Sequence, residues 1–262
     1  MKLTQQQIDS FNKDGFLVIK NFANQVECDA ILDIANIHIK YQIEPIETEK
    51  GYHSKSKEYR SDVIDYKSIT DTKDTTIRRL RQVYNRDIIF RNWMENREIR
   101  PMLQQLLNDQ VVITTAHHNS IMTKMPKYST QTNWHQDRRY WHFEGDNLLS
   151  VWLALGEENS QNGVLEFIPA SHKMKFSREQ FDEKSYFRED YEPNMSLIET
   201  KVSTTLQKGD IIFFHSLLLH RANANKTDKP KISFVYTVKG AKTKALEGTR
   251  SAKYPEIYLE RT

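Results

Sequence analysis

The sequence predicts a mainly β protein with helices packed on its outside. Three observations predict it. Capping signals and helical spacing cluster before residue 108, and short runs rich in β-branched and aromatic residues follow after 109. No Pro/Gly/Ser-rich linker or internal repeat divides the chain. Helices first and strands after argue for a helical N-terminal layer, about residues 1–108, on an all-β sandwich or barrel, about 109–240, in one domain spanning 1–262.

Taken in order, Thr4 and Gln7 have capping-box spacing, Ile8 and Phe11 share a helical face, and Gly15 can end that helix. Residues 16–19 read as a short strand. Asn24 and Glu27 mark a second helix start, with Ile31, Leu32 and Ala35 at helical spacing. Residues 46–76 are polar with few apolar anchors, which predicts a long excursion, a lid or a loop ordered on binding. A third helix is expected over 93–107, with Pro101 placed to break it. Strands are expected at 111–114, 149–155, 164–168, 197–206, 211–214 and 232–238. Asn162-Gly163 has the residues of a hairpin turn, and Lys208-Gly209-Asp210 those of a tight turn.

Composition narrows the function classes. With 262 residues, 38% hydrophobic and 28% charged, the chain can bury a real core and is neither collagen-like nor low-complexity. No apolar run approaches the roughly 18 residues of a spanning helix. A net charge of +3, spread along the chain, lacks the basic stripe of a nucleic-acid binder. The one cysteine, Cys28, excludes an internal disulfide and thiolate-caged zinc, and the polar first residues lack a signal peptide's apolar core. The expectation is a reduced, cytoplasmic protein, monomer or homodimer, with a small-molecule partner and neither nucleic acid nor membrane.

Nine histidines then point to metal chemistry. A mononuclear iron site takes two histidines and one carboxylate on one face and leaves the other open. A compact His-x-acid segment suits a strand, where alternate residues share a face. The chain has two such segments, His135-Gln136-Asp137 and His142-Phe143-Glu144. Glu144 runs into the turn-forming Gly145-Asp146-Asn147, which favours the first segment. His215 and His220 are the candidate partners from a later strand.

Together, Trp134-His-Gln-Asp137, Asn162-Gly163 through Pro169-Ala-Ser-His172, and Gly209-Asp210 with an apolar strand and Leu219-His220 resemble the phytanoyl-CoA dioxygenase-like family of iron(II)- and 2-oxoglutarate-dependent oxygenases. The resemblance implies a double-stranded β-helix, the jelly-roll core of the cupins. It implies His135, Asp137 and His220 as iron ligands, with 2-oxoglutarate and O2 as cosubstrates. Relatives hold the far carboxylate of 2-oxoglutarate with a basic residue eleven positions after the second histidine, usually arginine; here it is Lys231. Ser233, Lys124 and Trp152 join it as expected cosubstrate contacts, although Ala222 stands where relatives often carry serine. His118, Arg138 and Trp141 are expected on the substrate side. Adjacent arginines there suggest a polar or anionic substrate, hydroxylated with release of succinate and CO2. Asp137 argues against halogenation, which needs that carboxylate replaced. The alternative is a cupin-like metal- or ligand-binding protein without turnover.

Overall fold

The computed structural model describes residues 1–54, 68, 70 and 76–261. Helix α1 (Gln5–Asp14) opens on the Thr4–Gln7 capping box and stops at Gly15, which takes φ 85. Strand β1 (Phe16–Ile19) follows, and Asn24 caps α2 (Gln25–Lys40) by accepting from the Glu27 N–H at 2.9 Å.

The beginning of the polar stretch is more ordered than expected. Residues 46–54 form β2 (Ile46–Thr48) and α3 (Glu49–Ser54), and β2 pairs antiparallel with β3 (Ile77–Arg81). The polar side chains that disguise this strand are buried: Glu47 and Glu49 meet Arg78 and Arg79 of β3. The rest of the expected excursion, except residues 68, 70 and 76, lies outside the described residues. The helix expected over 93–107 is two, α4 (Ile88–Met94) and α5 (Arg100–Leu107). Pro101 sits in the first turn of α5, where its missing N–H costs nothing, so it starts a helix rather than breaking one.

The remaining elements are β4 (Val111–Lys124), β5 (Thr132–His135), β6 (Leu148–Ala154), β7 (Leu165–Phe167), α6 (Glu192–Glu199), β8 (Val202–Ser203), β9 (Ile211–His215), β10 (His220–Ala222), β11 (Lys231–Gly240), α7 (Arg250–Lys253) and β12 (Glu256–Tyr258). An eight-stranded sheet runs β1-β9-β6-β11-β4-β3-β2, with β12 also on β4, and a four-stranded sheet runs β5-β10-β7-β8. The expected strand over 197–206 is mostly helix. Pro193 starts α6, and Leu197 and Ile198 pack against Trp134 and Phe187, leaving only two residues for β8. Asn162-Gly163 makes no hairpin either, because β6 and β7 belong to different sheets. Gly163, at φ 84, turns the corner where a Cβ would strike the Asn223 carbonyl.

Period-2 alternation sorts the large sheet's side chains. Val151, Leu153, Ile211, Phe213, Phe234 and Tyr236 face the helical layer with Phe11, Ile31 and Trp93. Their neighbours Trp152, Ala154, Ile212, Phe214 and Val235 face the small sheet's Leu165, Phe167 and Ala222. Burial on both faces makes these strands read as continuous apolar runs. The resulting two-sheet core is the jelly roll, open at one end.

Two stability outcomes follow. At Gly15 an added Cβ would meet His172 Nδ1 and Leu218 Cδ1 at a positive φ, so Gly15→Ala should cost about 1–3 kcal/mol in urea denaturation. Burial, with His172 adding to it, holds the His215 imidazole down at about 4, against 6.5 in an unfolded chain. Below pH 6.5 the unfolded chain binds this proton first, so stability falls as pH drops toward 4. His215→Gln should flatten part of that slope.

Candidate active site

Antiparallel pairing of β10 with β5 places His220 directly opposite His135. Directly opposed residues share a face, and their ring centroids lie 4.2 Å apart. Each ring is oriented from behind. His135 Nδ1 donates to the Asn133 carbonyl at 2.8 Å, and His220 Nδ1 to the Leu218 carbonyl at 3.0 Å. That fixes the tautomer and turns both bare Nε2 lone pairs toward Asp137 Oδ1, at 3.7 and 3.6 Å. The three ligand atoms lie within 4.8 Å of one another, and all three residues are buried.

This donor set fits a divalent metal. Burial pushes both imidazoles below their ordinary value, against the pull of the Asp137 carboxylate, and keeps them neutral. Burial alone would raise the Asp137 carboxyl, but the His118 ring that hydrogen-bonds it holds it well below the carboxylate range. Neutral imidazoles and an ionised carboxylate are the forms that bind metal, and the backbone-anchored histidines supply the outer support such sites require.

Asp137 opens a 3-10 turn directly after β5 and is steadied from two sides. Ser150 Oγ donates to Oδ2 at 3.1 Å, and His118 Nε2 donates to Oδ1 at 2.9 Å. His118 reaches it because the β4–β11 register skips. Tyr236 pairs with Asn119 but Thr237 with Thr114, so residues 115–118 have no partner in β11 and bulge toward the cavity. His118 was expected to face substrate; it bonds Asp137 while also lining the cavity, with Trp141 edge-on at 5.5 Å.

Lys124, Trp152 and Lys231 line the same cavity, but Ser233 lies behind its wall. Three of the four expected cosubstrate contacts converge on a residue that the sequence did not single out, Glu158. Its carboxylate is fully buried and accepts from Lys231 Nζ at 2.9 Å, Ser233 Oγ at 2.6 Å and Trp152 Nε1 at 3.0 Å. Arg138 is not on the cavity wall. Its guanidinium turns back to Asp146 and the Phe143 and Gly145 carbonyls, bracing the turn after the 3-10 segment. The next residue, Arg139, takes that place, sandwiched by Tyr140 at 4.5 Å and Tyr186 at 4.2 Å. Arg250 of α7 lines the cavity as well. Neither arginine has a carboxylate within salt-bridge distance among the described residues. Arg78 is another cavity residue missed in the sequence. It bonds Glu49 at 2.8 Å and Thr132 at 2.8 Å, with its guanidinium 3.8 Å over the Tyr52 ring.

A family model described as phytanoyl-CoA dioxygenase matches residues 11–233. The chain belongs to that family. Membership makes it an iron(II)- and 2-oxoglutarate-dependent dioxygenase. Among its relatives, a phytanoyl-CoA dioxygenase domain-containing protein 1 homolog of Caenorhabditis elegans is 22% identical, covering 96% of this chain and 98% of that protein. The peroxisomal phytanoyl-CoA dioxygenase of Homo sapiens is 24% identical over 86% of this chain and 65% of that protein. Two solved structures share the fold. The epimerase SnoN, in complex with Fe3+, alpha ketoglutarate and nogalamycin RO, superposes with a TM-score of 0.72 at 16% identity, covering 93% of this chain and 86% of its own. EctD from S. alaskensis with bound Fe gives 0.75 at 19%, covering 99% and 88%. Within the phytanoyl-CoA dioxygenase family this chain is thus a full-length match to some members and a distant one in sequence.

The buried ion pairs beside the cavity carry stability. Glu49→Leu removes the 2.8 Å partner of the buried Arg78 guanidinium, leaving it Glu47 at 3.9 Å, and should cost about 1–3 kcal/mol. Arg188→Ala, which opens an exposed pair with Asp190, should change stability by less than about 0.5 kcal/mol. Chemical denaturation of the two variants measures both.

Proposed function

We propose that this chain hydroxylates a small anionic molecule, turning 2-oxoglutarate into succinate and CO2. In this reading His135, Asp137 and His220 hold iron(II), and the domain spans 1–262 and works in the cytoplasm. The observation that carries it is the His135–His220 cross-strand pair with both Nε2 atoms turned on Asp137. Bound there, iron(II) supplies the redox chemistry that couples O2 and 2-oxoglutarate to substrate oxidation.

The chain's own residues do the rest. The Asn133 and Leu218 carbonyls aim the two imidazoles, while Ser150 and His118 fix the carboxylate between them. Phe167 and Phe214 flank His220 at 6.2 and 5.0 Å and exclude water from that side. Lys124, Lys231 and Trp152 line the cosubstrate side, with Ser233 behind the wall bonded to Lys231 and Glu158. His118 and Trp141 form the substrate side with Arg139, which replaces Arg138 there. Arg139 and Arg250 supply positive charge that no described carboxylate cancels, which supports an anionic substrate. The family's name does not extend phytanoyl-CoA to this chain.

Two measurements test the reading. Titrating 2-oxoglutarate into anaerobic iron(II)-loaded protein should raise a weak visible charge-transfer band that Asp137→Ala and His220→Ala abolish; a wild-type protein without the band overturns the cosubstrate assignment. Across a panel of small anionic metabolites, succinate release should be substrate-triggered. For the responding substrate Arg139→Met should raise KM about tenfold or more, with 2-oxoglutarate affinity unchanged. A band without triggered succinate on any panel would favour the non-catalytic binder.

A further inference from the structure

Lys231 occupies the position from which the far carboxylate of 2-oxoglutarate is expected to be held, yet its charge is already spent. Its Nζ lies 2.9 Å from Glu158 Oε2 and 3.3 Å from Ser233 Oγ, and 4.9 Å from the Trp152 ring centre. Glu158 is not free to leave. It is fully buried, its N–H and C=O both bond Leu206 at 2.9 Å, and three side-chain donors hold its carboxylate. Moving it would strand a buried charge. The Glu158–Lys231 pair therefore presents no net charge to the cavity.

Directly across the β4–β11 ladder, Lys124 pairs with Lys231 in register. It lines the same cavity and is 7% exposed. Its Nζ donates only to backbone carbonyls, Thr130 at 2.5 Å and Ala222 at 3.5 Å, and no described carboxylate lies within salt-bridge distance. Ala222 stands two residues from His220 on β10, about 7 Å along the strand. A five-carbon dicarboxylate held beside His220 by its oxo-acid end can bridge that spacing.

Resting on the reading that this chain takes 2-oxoglutarate, we propose that Lys124 is the cation that binds its far carboxylate, while Glu158 locks Lys231 into the wall as a neutral pair. Burial, with repulsion from Arg78 and Lys231, disfavours the Lys124 ammonium in the empty cavity, and an incoming carboxylate relieves that cost. The arrangement moves the anchor one strand over, from β11 to β4, at the same register in the ladder.

The test compares two ligands by calorimetry on the full chain loaded with Mn(II) under anaerobic conditions. 2-Oxoglutarate carries the far carboxylate and 2-oxobutyrate lacks it. Wild type should prefer 2-oxoglutarate. Lys124→Met should weaken 2-oxoglutarate about ten- to a hundredfold and leave 2-oxobutyrate unchanged, so the preference collapses. Lys231→Met alone leaves the buried Glu158 charge without its cation, so the neutralised double variant Lys231→Met/Glu158→Gln is the control, and it should keep the preference. A double variant that loses the preference while Lys124→Met keeps it assigns the anchor to Lys231 and overturns the proposal. A wild type that binds both ligands equally well overturns the proposal but leaves the 2-oxo acid reading standing. A wild type that binds neither overturns both.

Discussion

A charge buried between two packed sheets must find its counterpart within hydrogen-bonding reach, and that requirement organises this molecule. The sandwich interior and its rim hold Glu47, Glu49, Arg78, Asp137, Glu158, Lys231 and Lys239, each largely withdrawn from water. Most are matched: Arg78 to Glu49, Lys231 to Glu158, Lys239 to Glu256. Asp137 is met by hydrogen bonds from His118 and Ser150, while the lone pairs of two neutral imidazoles face it. Such pairs add little net stability over an apolar core, since desolvation consumes most of the attraction, but losing one partner is costly. They fix geometry more than they strengthen the fold. Among the described residues, Lys124, Arg139 and Arg250 line the cavity with no carboxylate in salt-bridge reach.

The parts legible in the sequence are those set by local chemistry. The Thr4 box, the Asn24 cap and the Gly15 stop each depend on residues a few positions apart. The double-buried strands announce themselves as apolar runs. The pairing of His135 with His220 was visible only because several family motifs occur in order, since neither histidine's neighbourhood specifies its partner. What sequence hid follows from distance along the chain. Glu158 and Lys231 are 73 residues apart, and nothing local to Gly156-Glu-Glu158 shows that the second glutamate turns inward. Arg138 and Arg139 differ only in which side of one 3-10 turn they occupy. Residues 46–54 misled because their polar side chains are paired internally, so polarity no longer signals exposure. At 197–206, Leu197 and Ile198 satisfy a strand's composition and a helix's contacts equally well, and Pro193 decides between them.

The family assignment and the fold answer different questions. Proteins described as an epimerase and a carbocyclase share this scaffold at under 20% identity. The fold alone therefore names no reaction, and what distinguishes this chain is the set of side chains that line its cavity away from the sheets. Here those are the Tyr140–Arg139–Tyr186 stack, Trp141 and Arg250, all contributed by connections or short helices rather than by the central ladder.

The skipped register in β4 has a consequence for how such a protein can diverge. Residues 115–118 lie outside the ladder with β11, while pairing continues on both sides of them. The segment is an insert in that ladder, tied on its far side through Thr115 to the Pro255 carbonyl and through His117 to the Ser251 hydroxyl. Yet this insert carries His118, which touches Asp137. A lineage that remodels it to admit a new molecule also retunes the carboxylate beside it, so specificity and the poise of the centre are inherited as one trait.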